Sequence, residues 1–284
     1  MGETWRLVRS GHLTGARNMA IDEAVIESVA AGGPPTLRFY GWEPAAISLG
    51  YFQDFDSEVD EAACQSLGID IVRRLTGGRA ILHDVEVTYS LVISEAHPLI
   101  PRSITESYRV ISEGLVRGLE LLGLEAKMTV PPRRARGSPL GSSPACFDAP
   151  SWYEVTVGGK KIIGSAQVRR RGVVLQHGSI PLDLDADKLF AVLKFDGDAA
   201  RSRAKSVFKR NATSIREALG QPASFLDVSD RLLEGLSEVL GVRFAEGDLT
   251  ASEERRADEL VRTRYATREW NERRGTRVEG RLAT

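Results

Sequence analysis

Arg73-Arg74-Leu75-Thr76-Gly77-Gly78-Arg79-Ala80-Ile81-Leu82-His83-Asp84 joins two β-type runs through a pair of glycines. Upstream, residues 70–73 read as a short strand. Downstream, residues 86–93 alternate: Val87, Tyr89, Leu91 and Ile93 fall on one face, Glu86, Thr88 and Ser90 on the other. That is the two-residue period of a half-buried strand. Adjacent glycines let a backbone approach a ligand closely and present its N–H groups to it. They suit a plain tight turn equally well, and the stretch matches neither a Walker loop nor a dinucleotide fingerprint.

Working outward, residues 17–31 are expected to form a helix with Ile21, Val25 and Val29 along one stripe, stopped by Pro34-Pro35. Short strands are expected at 36–40 and 46–49. Residues 105–122 switch to a helical period through Tyr108, Ile111, Leu115, Leu119 and Leu122, with Ser103 and Glu106 spaced as a capping box. Residues 130–145, rich in Pro, Gly, Ser and Arg, have no period and read as a mobile, protease-sensitive loop that orders when a partner docks. Strands are expected at 152–157, 161–169 and 173–180, the first two joined by a Gly158-Gly159 hairpin. Helices are expected near 185–194, at 227–240 with Gly241 as the stop, and near 253–264.

The fold expected is α+β (α/β-type), with mixed β-sheets flanked by helices. Residues 1–220 would form the catalytic domain and 221–284 a helical C-terminal portion packed on the same domain. A formal charge of -1 gives no argument for nucleic acid or an anionic membrane surface. No signal-like start and no apolar run of spanning length is present, so a cytoplasmic location is expected. With two distant cysteines and four scattered histidines, neither a disulfide framework nor a metal site is expected. No coiled-coil or swap signature appears, and a monomer is the default.

Two further residues invite chemistry. Cys146 follows the aperiodic loop directly, where a thiol is reachable by substrate; the bland reading is an ordinary semi-buried cysteine. Cys64, on a short helical pattern, reads as structural. Alternation puts Lys161 and Ile163 on the strand face of Ser165, where small residues leave room for a ligand; a solvated surface lysine is the bland reading.

Taken together, these segments resemble the biotin/lipoate protein ligase and octanoyltransferase superfamily, and the likeness covers most of the chain. It rests on residues 73–84, on Val87-Thr88-Tyr89-Ser90, on Lys161-Ile162-Ile163-Gly164-Ser165-Ala166, and on the supporting runs 36–40 and 176–180. Ligases of this superfamily activate a free acid with ATP, usually carry a third glycine where this chain has Arg79, and need no cysteine at the loop. Ala145-Cys146-Phe147-Asp148-Ala149-Pro150-Ser151 looks like the nucleophile motif of the cysteine octanoyltransferase branch, which serves lipoate assembly through a glycine-cleavage H protein.

The resemblance implies a ping-pong acyl transfer without cofactor. Octanoyl-acyl carrier protein would be the donor, a lipoyl domain such as H protein the acceptor, Cys146 the nucleophile and Lys161 the proton carrier. Arg73, Thr76, Gly77, Gly78, Arg79, His83, Gly164, Ser165 and Ala166 would bind substrate, with an oxyanion site near one glycine pair or the other. Three other readings stand beside it: an ATP-dependent lipoate ligase, an amidotransferase moving octanoyl between lipoyl domains, and a non-catalytic acyl- or lipoyl-binding regulator.

Overall fold

The computed structural model describes residues 2–129 and 153–272. The strands are β1 (Thr4–Leu13), β2 (Thr36–Trp42), β3 (Ala46–Leu49), β4 (Asp70–Arg73), β5 (Ile81–His83), β6 (Glu86–Ser94), β7 (Ala126–Thr129), β8 (Glu154–Val157), β9 (Lys160–Arg170), β10 (Val173–Pro181) and β11 (Arg243–Glu246). The helices are α1 (Gly15–Ala30), α2 (Phe55–Glu58), α3 (Glu61–Ser66), α4 (Ile104–Leu121), α5 (Ala186–Ala191), α6 (Asp198–Asn211), α7 (Ile215–Leu219), α8 (Phe225–Leu240), α9 (Ala251–Leu260) and α10 (Arg268–Asn271). A π-helical turn, Val261–Tyr265, extends α9.

Eight strands form one mixed sheet in the order β11-β1-β2-β6-β10-β9-β8-β7, and three form a small sheet, β4-β3-β5. Helix α1 and the tail helix α9 cover one face of the large sheet; α4 and α8 cover the other. The small sheet packs its Ile47 and Leu49 with Phe190 and Phe208 of α5 and α6. The apolar stripe expected on α4 is buried at Tyr108, Ile111, Leu115 and Leu119. It meets α8 closely: a Cβ on Gly118 would lie 2.6 Å from Leu232 Cα, so glycine alone permits this approach. Ser103 caps α4 by accepting the Glu106 N–H, but the Glu106 carboxylate bonds Arg109 instead of closing a box.

A second local expectation changes. Strand β6 is buried on both faces, because α1 covers the side carrying Glu86, Thr88 and Ser90. Alternation alone could not report this, since the polar face is buried through hydrogen bonds rather than apolar contact. Strands β1, β5, β7 and β11 and helix α6 carry too weak a period to be called in advance; β1 and β11 are held by parallel pairing across more than two hundred residues of chain. The expected loop at 130–145 lies outside the described residues. Among those described, no helix is long and apolar enough to cross a membrane.

Candidate active site

Strands β6, β10 and β9 lie side by side, pairing Thr88 with Ser179 and Ser179 with Gly164, then Ser90 with His177 and His177 with Ala166. Over them sits the loop from Thr76 to Ala80. Between loop and sheet is a slot of about 40 Å³, walled by Gly78 and Ile81 above, by Gly164 and Ala166 below, and by Met19, Tyr40, Trp42, His83 and His177 at the sides. A broader cavity of about 540 Å³ abuts it, since Ile81 and Ser179 wall both.

The slot is bordered by two matched relays that share one guanidinium. Arg74 Nη1 donates to Ser48 Oγ (3.1 Å), which lies 2.8 Å from His83 Nε2; His83 Nδ1 lies 2.8 Å from Glu86 Oε1. Arg74 Nε donates to Thr76 Oγ1 (3.1 Å), which lies 2.7 Å from His177 Nε2; His177 Nδ1 lies 3.2 Å from Asp22 Oδ2. Because Arg74 occupies a lone pair of each hydroxyl, each hydroxyl proton turns to its histidine, and each histidine gives its Nδ1 proton to a carboxylate. Both imidazoles thereby have both nitrogens engaged. They have the form of hydroxyl–histidine–carboxylate triads but act as rigid wall.

Electrostatics agree with this assignment. Burial pushes the His177 pKa down, outweighing the pull of Asp22, so the ring is neutral. Burial pushes the Asp22 carboxyl up, but the His177 hydrogen bond, the Arg38 charge and Ser90 together hold it below the usual range. Arg38 Nη1 lies 3.0 Å from Asp22 Oδ1 and its guanidinium lies 3.8 Å from the centre of the Tyr40 ring. Glu86, 4% exposed, accepts from Ser179 (2.5 Å), Trp42 (3.1 Å), His83 and Thr88. Trp42 in turn stacks on His83 with centroids 4.0 Å apart.

The loop owes its shape to two contacts. Arg74 Nη2 donates to the carbonyls of Gly77 and Arg79, both at 2.8 Å. Gly50 passes so near that a Cβ there would lie 2.0 Å from Gly78 O, and Gly78 itself holds φ +94°. Arg73 faces elsewhere: its guanidinium donates to carbonyls of Gly50, Gln53 and Asn271, while the Asn271 side chain accepts its N–H. It ties the tail to the loop beside the slot and is not among the slot's walls.

Lys161, 5% exposed, stands at the start of β9 with Nζ 3.4 Å from Glu154 Oε1 and its backbone bridged to Ala212. The register between β8 and β9 steps from Lys161 to Ile163, leaving Ile162 as a bulge. The unbroken period that would put Lys161 on the face of Ser165 is therefore interrupted between them. Ser165 Oγ itself meets Tyr89 OH at 2.8 Å, on the α4 side of the sheet. Cys146 lies outside the described residues; the chain that carries it enters the sheet at β8, whose first residue is Glu154.

Thr76, Gly78, His83, Gly164, Ser165 and Ala166 are thus gathered about one slot; Gly77 sits on its loop and the Arg79 carbonyl helps anchor it. Asp22, Ser48, Trp42, Glu86 and His177 complete the site without having been singled out in the sequence. In sequence His177 stands out only as part of the supporting run 176–180, and Glu86 only as a polar position of a strand.

A family model of the lipoyl protein ligase A/B catalytic domain matches residues 14–237. The octanoyltransferase LipM of Kyrpidia tusciae is 53% identical over 274 residues, covering 96% of this chain and 100% of that protein. LipM of Bacillus subtilis is 43% identical over 275 residues, with 96% and 99% covered. Among solved structures, the bi-partite lipoate protein ligase of Thermoplasma acidophilum is similar with a TM-score of 0.80 at 30% identity, covering 95% of this chain and 96% of that one. A lipoate-protein ligase A bound with ATP gives 0.75 at 31% identity, covering 96% and 99%. This chain belongs to the lipoyl protein ligase A/B catalytic-domain family.

Proposed function

We propose that this protein is an octanoyltransferase of lipoate biosynthesis, passing an octanoyl group from acyl carrier protein through Cys146 to the lysine of a lipoyl domain. The slot is the observation that carries this reading. Its flanking imidazoles and its arginine are held by internal partners, so it is built to hold an acyl chain and not to attack one. The likeness to two LipM proteins along nearly the whole chain supports the same reaction.

In the proposed sequence, the Cys146 thiolate attacks the donor thioester carbonyl. A carbon–sulfur bond forms to Cys146, the donor's carbon–sulfur bond breaks, and the departing thiolate takes a proton from the Lys161 ammonium, leaving that amine neutral. The acceptor amine then attacks the octanoyl-cysteine; a carbon–nitrogen bond forms, the Cys146 thiolate departs, and Lys161 takes the ammonium proton. Exchange between thioesters is nearly balanced and aminolysis runs downhill, so no nucleotide is required. Tight packing of the Thr76–Ala80 loop supports its use as a preorganised source of N–H groups for the oxyanion.

The test is octanoylation of an apo lipoyl domain by octanoyl-acyl carrier protein with nucleotide removed by apyrase, read as a mass increase on the domain. Full modification without ATP is expected. Modification only from free octanoate plus ATP would make the protein a ligase.

A further inference from the structure

The tail reaches the site from outside. Strand β4 is an edge of the small sheet, with β3 on its inner side, and an edge leaves backbone N–H and C=O groups in need of partners. At Arg73, the last residue of β4, two side chains of α10 supply them. Asn271 Oδ1 accepts the Arg73 N–H at 2.8 Å, and Trp270 Nε1 donates to the Arg73 carbonyl at 2.9 Å. On the inner side the Arg74 N–H donates to the Leu49 carbonyl at 3.0 Å. The C=O and N–H of a trans peptide point opposite ways, so the Arg73–Arg74 peptide is gripped at both ends, once by the tail and once by the sheet.

That peptide is the root of the glycine loop. The Arg74 side chain leaves from it to hold the carbonyls of Gly77 and Arg79 and the Thr76 hydroxyl. A second path runs through the buried Arg73 guanidinium, which joins the Asn271 carbonyl (2.9 Å) to those of Gly50 (2.9 Å) and Gln53 (2.7 Å). Within that turn the Tyr51 N–H donates to the Thr76 carbonyl at 2.8 Å, and Gly50 packs on the Gly78 carbonyl. The tail is itself fixed to α1. Glu23, 2% exposed, accepts from Tyr265 OH (2.8 Å) and from Arg264, and Asn271 Nδ2 donates to the Tyr265 carbonyl at 2.8 Å. Blunting a sheet edge takes no more than a charge or a proline; here two buried routes converge on the loop beside the slot. We infer that Trp270 and Asn271 are positioning residues for acyl transfer, holding the Arg73–Arg74 peptide and, through it, the glycine loop. The acyl transfer itself rests on the proposed function.

The test uses Asn271→Ala and Trp270→Phe on the full chain, the second keeping a ring beneath the Arg264 guanidinium while removing the Nε1 donor. Arg268→Ala, on the exposed side of the same helix, is the control. Each protein is first checked for a native circular-dichroism melt. Hydrogen exchange is then followed in peptides covering 50–53 and 74–80, beside kcat and KM for transfer from octanoyl-acyl carrier protein. In both tail variants exchange in the two peptides is expected to quicken roughly tenfold. Their kcat is expected to fall about thirtyfold with KM within about twofold, while Arg268→Ala matches the wild type. An unchanged kcat in either folded tail variant overturns the assignment and leaves the tail a cover for the sheet edge. Quickened exchange at 50–53 and 74–80, in a protein whose wild type moves no octanoyl from thioesters, would uphold the coupling of tail to loop and reject the proposed reaction instead.

Discussion

His83 Nδ1 stands 2.8 Å from Glu86 Oε1, and the other ring nitrogen of His83 stands 2.8 Å from the Ser48 hydroxyl. With both nitrogens engaged the ring cannot exchange protons with a substrate unless a buried hydrogen bond is broken first. Its place is structural: it holds the Trp42 ring against the slot.

Glu86 is the hub of that arrangement, since Trp42, His83, Thr88 and Ser179 all donate to it and all wall the slot. Glu86→Gln puts an amide NH₂ among these donors, of which Trp42 Nε1 keeps the Thr88 hydroxyl (2.7 Å) as a second acceptor. Urea denaturation should show a loss of about 2 kcal/mol or more. The solvent-facing Glu234→Gln, whose Arg231 pair is half exposed, should stay within about 0.5 kcal/mol. Equal effects from the two would contradict the hub.

The buried relay also makes a pH prediction. Burial lowers the His177 pKa in the folded protein below the ordinary imidazole value of 6.5, so the native ring stays neutral where the unfolded one takes a proton. The stability it contributes is complete above pH 6.5 and declines as pH falls toward the folded value; Asp22, also lowered, adds a further loss below about pH 4. Unfolding free energies at pH 7.5 and 5.5 should differ more in the wild type than in His177→Gln. An identical pH dependence in both would exclude a neutral native His177.

Glycine substitutions around the loop should rank by what a Cβ meets. At Gly50 it would meet the Gly78 carbonyl at 2.0 Å, a backbone atom that cannot swing aside; at Gly77 the nearest atom is Phe52 Cδ2 at 3.9 Å. Gly50→Ala should lower the melting temperature by several degrees and acyl transfer by about a hundredfold, in line with an angstrom-scale misplacement of a site loop. Gly77→Ala should melt within about two degrees of the wild type. Thermal melts in the reverse order would refute the packing described.

Cys64, buried at the foot of the small sheet with Asp60 and Glu61 nearby, has its thiol pushed up to about 12, chiefly by burial. In a Cys146→Ala background, native protein at pH 7.5 should resist iodoacetamide and react once unfolded. Rapid alkylation of the native form would place Cys64 among the reactive thiols.

Much of the fold was readable where one element carries its own period: α4 through Ile111, Leu115 and Leu119, and β10 through its apolar run. The glycine loop was readable because local spacing states it. What escaped was cooperation between distant residues. Asp22 reads in sequence only as a polar position beside the helix stripe, yet its carboxylate meets His177 from far along the chain. Glu86, Thr88 and Ser90 look solvent-facing because alternation distinguishes polar from apolar, not wet from buried. Arg73 and Arg74 are adjacent and look equivalent, but successive residues on a strand face opposite ways, and one binds the tail while the other organises the slot.

The most direct test of the account is the acyl-enzyme itself. Purified protein is mixed with octanoyl-acyl carrier protein, without nucleotide or acceptor, and its intact mass recorded for the wild type, Cys64→Ser and Cys146→Ala. A single octanoyl adduct, labile to hydroxylamine, should form on the wild type and Cys64→Ser and be missing from Cys146→Ala. An adduct that persists in Cys146→Ala, or an unmodified wild type that octanoylates a lipoyl domain only with ATP and free octanoate, would contradict it.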